Sequence, residues 1–276
     1  MPIQENIQLL GTPAIYKHAN IPQVLTLQSL PTISELEYVS AEDFDEVMLS
    51  SILPKAIKES IDCKQLLEID YQWILRALRI LNYGPHFTTN TVFCPKCGRV
   101  PYGEYSVDLT SIECKPLPAN FSGRIKISAK EEFIEFQEDI EIHLLTIQET
   151  LTAYKDTAFL GRSGNINREL ARTCYMISKI GSESDLSPVD IRMKIENNMC
   201  PTDYLILKKR IVELTDYGLR AGGVTTCPKC GNTNATFIAF IDDRYFRPTL
   251  DNLRAWKADR DSRRAEISAR TSSKNV

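Results

Sequence analysis

Cys94-Pro95-Lys96-Cys97-Gly98 recurs letter for letter as Cys227-Pro228-Lys229-Cys230-Gly231. Each copy has the form of a zinc knuckle: two thiolates on a tight turn, with a glycine after the second Cys that can take a positive φ. Together they supply four sulfurs, the complement of a closed tetrahedral zinc site. A closed site leaves no position for water or substrate. Cys94, Cys97, Cys227 and Cys230 therefore predict a structural Zn2+ site, not a catalytic one. Cys-x-x-Cys is also the thioredoxin-type spacing, but a redox pair of that kind opens a helix within a βαβ unit. Here each pair is preceded by Thr, Val or Phe and followed by Gly and a β-like run, the pattern of a hairpin tip. No secretion signal precedes the eight cysteines, which argues against disulfides. Cys63, Cys114, Cys174 and Cys200 read as packing thiols, with Cys114 within reach of the first knuckle.

The two strings lie 133 residues apart, and the sequence ahead of each also matches. Asp70-Tyr71 opens an apolar helical pattern 24 residues before Cys94, and Asp203-Tyr204 opens another 24 residues before Cys227. The patterns stop at Tyr83-Gly84 and Tyr217-Gly218. Farther upstream, Leu30 to Leu36 resembles Leu145 to Leu151 around a shared Thr-Ile pair. These matches predict an α+β fold of two diverged strand-helix-knuckle modules, related by a pseudo-twofold and joined by a zinc-ribbon-like four-cysteine site. The expected layout is an extended N-terminal arm over 1–20, a first module over 21–118 and a linker over 119–137. A second module over 138–248 and a charged C-terminal helix and tail over 249–276 complete it. The spacing leaves open whether the two knuckles share one zinc within a chain or pair with thiols of another subunit.

Local patterns fill in the modules. Val24 to Leu27 is strand-like, and Ser40-Ala41-Glu42-Asp43 reads as the capping start of a helix running to about Ile52, with Pro54 as its stop. Leu67, Tyr71, Ile74, Leu78 and Leu81 mark one buried helical face. Strands are expected over 87–92, 105–112, 123–128, 133–145 and 236–241. Helices are expected over 166–180, from Ser187-Pro188, and from Thr202 with the stripe Tyr204, Leu207, Ile211 and Leu214.

Composition excludes several classes. The 276 residues are 43% apolar and 25% charged, as in a soluble globular protein. Net charge is −3 with a pI near 5.8, so no global bias favours nucleic acid. No apolar run reaches the length of a membrane span. The three histidines, His18, His86 and His143, are far apart in sequence. No phosphate loop, nucleophile elbow or HExxH helix is present. The acidic run Glu131-Glu132, Glu135, Glu138-Asp139 reads as a solvated face. These features predict no enzyme and no small-molecule substrate. Lys96, Lys229 and Arg99 at the knuckles, with six Arg and Lys over 251–270, raise a nucleic-acid reading. Four acids interleave with those six, and the small excess argues against it.

The assembled order is a Leu-rich strand ending in "TIxE", an acidic helix, Asp-Tyr leading a helix that ends "ILNYG", the "FCPKCG" knuckle and an outgoing "YSVDL" strand. It resembles the baseplate-hub proteins of T-even-type contractile-tailed bacteriophages, best over about 21–118 and more loosely in the second copy. The resemblance implies a non-enzymatic structural or assembly role in a phage tail, with other baseplate and hub proteins as partners. It places the protein in the virion or in the host cytoplasm during assembly. The alternative from the residues is a zinc-ribbon, nucleic-acid-associated factor of the transcription type.

Overall fold

The computed structural model describes residues 3–31, 34, 37, 42–89, 94, 96, 97, 105–161, 163–220 and 222–237. Helix and sheet mix along the chain, which makes the fold α+β. In the first half, β1 (Gln4–Gln8) pairs antiparallel with β2 (Val24–Gln28), Gln4 opposite Gln28 and Gln8 opposite Val24. Ile7, Leu25 and Leu27 point to one face and are buried. A helical stretch from Phe44 to Ala56 follows. Ile57 then bridges antiparallel to Leu27, and Lys58 donates its N–H to the Thr26 carbonyl at 3.0 Å. Helix α1 (Glu68–Tyr83) crosses beneath, burying Tyr71, Ile74, Leu75, Leu78 and Leu81, and stops at Gly84, whose φ is 81°. The hairpin β3 (His86–Thr89) and β4 (Tyr105–Asp108) leads towards the first pair of cysteines.

A short strand, β5 (Cys114–Lys115), connects to the second half. There β6 (Arg124–Ile127), β7 (Ile140–His143) and β8 (Ile177–Ile180) form an antiparallel sheet in the order β6-β7-β8. Between β7 and β8 lie α2 (Ile147–Lys155) and α3 (Arg168–Met176). Capping boxes start α2, at Thr146 and Glu149, and α4 (Pro188–Asn198), at Ser187 and Asp190. Then come α5 (Pro201–Thr215), β9 (Gly218–Leu219) and the hairpin β10 (Gly222–Thr226) with β11 (Thr233–Phe237).

The buried side chains of both halves form one continuous core. The seam is made by backbone as well as side chains. Glu68 donates to Leu145 O at 3.1 Å and Ile147 to Leu66 O at 2.8 Å. The Arg172 guanidinium meets the Glu68 carboxylate at 2.7 Å, and Lys155 pairs with Asp43. Strand β5, which follows the first hairpin, pairs with β9 of the second half.

Several expectations need correction. Residues 3–20 are no extended arm: β1 is a sheet strand, and Ile7, Leu9 and Tyr16 are at most 5% exposed. The polar residues that suggested an arm face outward while Ile7 and Leu9 alternate inward. Residues 119–137 are no linker, because β6 lies within them and Ile127, Phe133 and Phe136 are buried. Pro54 does not stop its helix. A π-helical turn over Met48–Ile52, with Leu53 N–H bonded to Met48 O, opens the coil ahead of the proline ring. The span 166–180 is not all helix, since Ile177-Ser178-Lys179-Ile180 leaves α3 to become the third strand. Of 133–145, only Ile140–His143 is strand. The charged helix expected over 249–276 lies outside the described residues.

Candidate metal centre

Each hairpin brings its cysteines to the same point. Cys94 and Cys227 are buried, and Cys97 and Cys230 half-buried. Cys94 Sγ lies 3.6 Å from Cys230 Sγ, and Cys97 Sγ lies 3.9 Å from Cys227 Sγ. All four sulfurs fall within 4.8 Å of one another. A disulfide would hold its sulfurs about 2.05 Å apart. A tetrahedron with metal–sulfur arms of about 2.3 Å has edges of about 3.8 Å. The donor set and spacing therefore fit a four-thiolate metal, and Cys94, Cys97, Cys227 and Cys230 are the residues that would hold it. Among the described residues no other His, Cys, Asp and Glu side chains form such a group.

The hairpin backbone sets the thiols. Cys227 N–H donates to Asn232 O and Gly231 N–H to Cys227 O, both at 2.9 Å. Gly231 takes φ +67°, and a Cβ there would meet nothing within 4 Å, so the glycine serves backbone conformation alone. Gly98, its counterpart, lies outside the described residues. Burial opposes charge on Cys94, but backbone N–H groups of Cys97 and Lys96 and the thiols of Cys230 and Cys227 bring its pKa down to about 6. Hydrogen bonding to Cys230 leads the effects that push Cys97 up to about 12. A divalent metal bound there would favour the thiolate form of its ligands.

A second pair of residues, Asp70 and Asp203, stands at matching places in the two halves, 24 residues ahead of Cys94 and Cys227. Both are fully buried, and each is the third residue of its helix, α1 or α5. Asp70 accepts from Leu10 N (2.5 Å), Gly11 N (3.0 Å) and Tyr16 Oη (2.5 Å). Asp203 accepts from the backbone N–H groups of Ile134 (2.7 Å), Glu135 (2.9 Å) and Phe136 (2.8 Å). Each carboxylate clamps the loop that joins the first two strands of its half. Burial prevails at Asp70 and raises its pKa over the opposing hydrogen bonds. Burial also pushes up at Asp203, but there the three N–H donors win and hold the carboxyl low. The Asp-Tyr pairs were visible in the sequence as helix starts. Their clamping role was not, because the loops they hold share no sequence.

The remaining candidates disperse. Cys114 sits in β5 opposite Leu219, apart from the thiol cluster. Burial raises Cys63 to about 11 and Cys174 to about 12, as packing thiols require. His18 and His143, distant in sequence, line one open cleft of about 720 Å³ with Asp62 and Glu149, and His143 Nε2 is 3.4 Å from Glu149 Oε1. They do not converge on a common point. The acidic run is structural in part: Asp139 caps Ala129 N–H and pairs with Lys126, and Glu132 holds Arg210. No helix among the described residues is long and apolar enough to cross a membrane. Comparison with protein-family models, curated proteins and solved structures finds no match.

Proposed function

We propose that this protein is a zinc-clasped structural or assembly component of a phage tail baseplate hub, with other baseplate proteins as partners and no catalytic role. The observation that carries the scaffold reading is the convergence of four thiols from hairpins 133 residues apart. A metal there would tie the hairpin that closes the first half to the hairpin that closes the second and leave no ligand position for chemistry. Zinc is the metal we assign, since an all-thiolate tetrahedron suits it and the chain carries no other metal motif. The phage assignment rests on the motif order described above. Mass spectrometry of purified particles and of baseplate intermediates from infected cells tests it. Peptides of this chain in either fraction support the assignment, and absence from both overturns it.

The halves are read as diverged copies about a pseudo-twofold through the metal. Exchanging them maps Cys94–Cys230 onto Cys227–Cys97, the two short contacts found. It also maps Asp70 onto Asp203. The antiparallel order β1-β2-Ile57 parallels β6-β7-β8. Superposing the two halves over these elements is the check.

A nucleic-acid-associated zinc ribbon is the second reading. Lys96 and Lys229 stand exposed beside the thiols and favour it. It requires retention of DNA or RNA on a filter at about 0.1 M salt, lost steeply as salt rises.

A further inference from the structure

The thiols of the cluster meet across the two halves. Cys94 Sγ lies 3.6 Å from Cys230 Sγ and Cys97 Sγ lies 3.9 Å from Cys227 Sγ, and the partners are 136 and 130 residues apart in sequence. Each contact joins one buried thiol, Cys94 or Cys227, to one half-buried thiol, Cys230 or Cys97. A disulfide holds its sulfurs about 2.05 Å apart, so each sulfur would travel about 0.9 Å or less to form one. A rotation about χ1 supplies that movement. Such a rotation leaves in place the backbone bonds of the second hairpin, from Cys227 N–H to Asn232 O and from Gly231 N–H to Cys227 O.

We propose that the cluster is also an oxidative modification site, at which a peroxide closes Cys94 on Cys230 and Cys97 on Cys227. The half-buried thiolate of Cys97 or Cys230 attacks the peroxide. The O–O bond breaks, hydroxide leaves, and the sulfur becomes a sulfenic acid. The buried thiolate facing it from the other hairpin then attacks that sulfur, forms the S–S bond and expels a second hydroxide. Each disulfide takes two electrons from two thiolates, and two protons from solvent turn the two hydroxides into water. Two peroxides consume all four thiolates, and any metal they held is released as the free ion. The clasp passes from a metal to two covalent bridges, and the halves stay tied. Closure within each Cys-x-x-Cys string, the other outcome of the same chemistry, would free the hairpins from each other.

The inference rests on the four-thiolate reading of the cluster and is independent of the phage assignment. Trypsin reads out the pairing, because it cuts after Lys96 and Lys229, between the two cysteines of each string. The full-length, zinc-loaded chain is treated with hydrogen peroxide, its remaining thiols are alkylated, and its tryptic peptides are mapped by mass spectrometry without reduction. Freed zinc is read with a chelating dye. The expected products join 80–96 to 230–244 and 97–99 to 221–229, with loss of the bound zinc. Products that join 80–96 to 97–99 and 221–229 to 230–244 overturn the proposal, as do sulfinic acids in place of disulfides. A chain that carries no zinc before oxidation overturns the metal assignment alone, since the peptide map of the metal-free protein still decides the pairing.

Discussion

Removing the Asp203 carboxylate from the first turn of α5 should loosen the second half. Asp203 is 0% exposed and accepts from three consecutive backbone N–H groups at 2.7–2.9 Å. Asp203→Ala leaves all three without a partner. A hydrogen bond to a charged group contributes about 1.5–3 kcal/mol, and an orphaned buried donor costs about 1–3 kcal/mol. Full addition overstates the loss, because the loop is thin and Ile134 is 66% exposed, so water can reach part of it once the clamp is gone. The expected loss is about 3 kcal/mol, a large share of the 5–15 kcal/mol typical of a folded domain. Asp203→Asn, which keeps one acceptor, should lose about half as much. Urea unfolding followed by far-ultraviolet circular dichroism, at fixed zinc, measures both. The pH dependence has a definite sign. The folded carboxyl is held below its ordinary value, so its contribution is present above the unfolded pKa and is lost as pH falls through the folded one. The gap between wild type and Asp203→Asn should therefore close in acid. A loss below about 0.5 kcal/mol at neutral pH, or a gap that widens on acidification, would refute the clamp.

Two glycine substitutions separate space from backbone conformation. At Gly11 a Cβ would sit 2.5 Å from Tyr16 Cε2 and 2.7 Å from Asp70 Oδ2, against fully buried neighbours. Gly11→Ala should cost on the order of 2 kcal/mol or more in the same urea assay, by forcing off-rotamer repacking. At Gly231 there is room but φ is +67°, so Gly231→Ala should cost only about 1–2 kcal/mol, felt chiefly as faster zinc release to a chelator. Asp70→Asn should cost less at neutral pH than Asp203→Asn, because burial already disfavours charge at Asp70.

What the sequence disclosed followed period and motif. The α1 face of Tyr71, Ile74, Leu78 and Leu81 was readable because every member repeats on one side of a long helix, and all are buried. The four site cysteines were readable because thiolate pairs at this spacing have few other uses. The strand Gln4–Gln8 was not, since only Ile7 within it faces the core and its stability comes from β2, sixteen residues beyond its end. The helix-to-strand change at Ile177 was equally hidden: Ile177 and Ile180 also suit a helical period, and it is pairing with β7 that selects the strand. The passage of the helix through Pro54 depended on a π-turn that local propensity does not reveal. The Asp clamps were hidden for a different reason. A carboxylate in a first helical turn reads as a response to the helix dipole, while its actual partners lie about sixty to seventy residues away.

The central claim, one metal shared by the two halves, is tested most directly by counting zinc. Elemental analysis of the purified protein should give one zinc per chain. Cys94→Ser and Cys227→Ser, one from each hairpin, should each abolish that same equivalent and lower thermal stability, since structural zinc can contribute on the order of 10 kcal/mol to folding. Two zincs per chain, each substitution removing only one, would contradict a shared site, and so would zinc-free protein with unchanged stability.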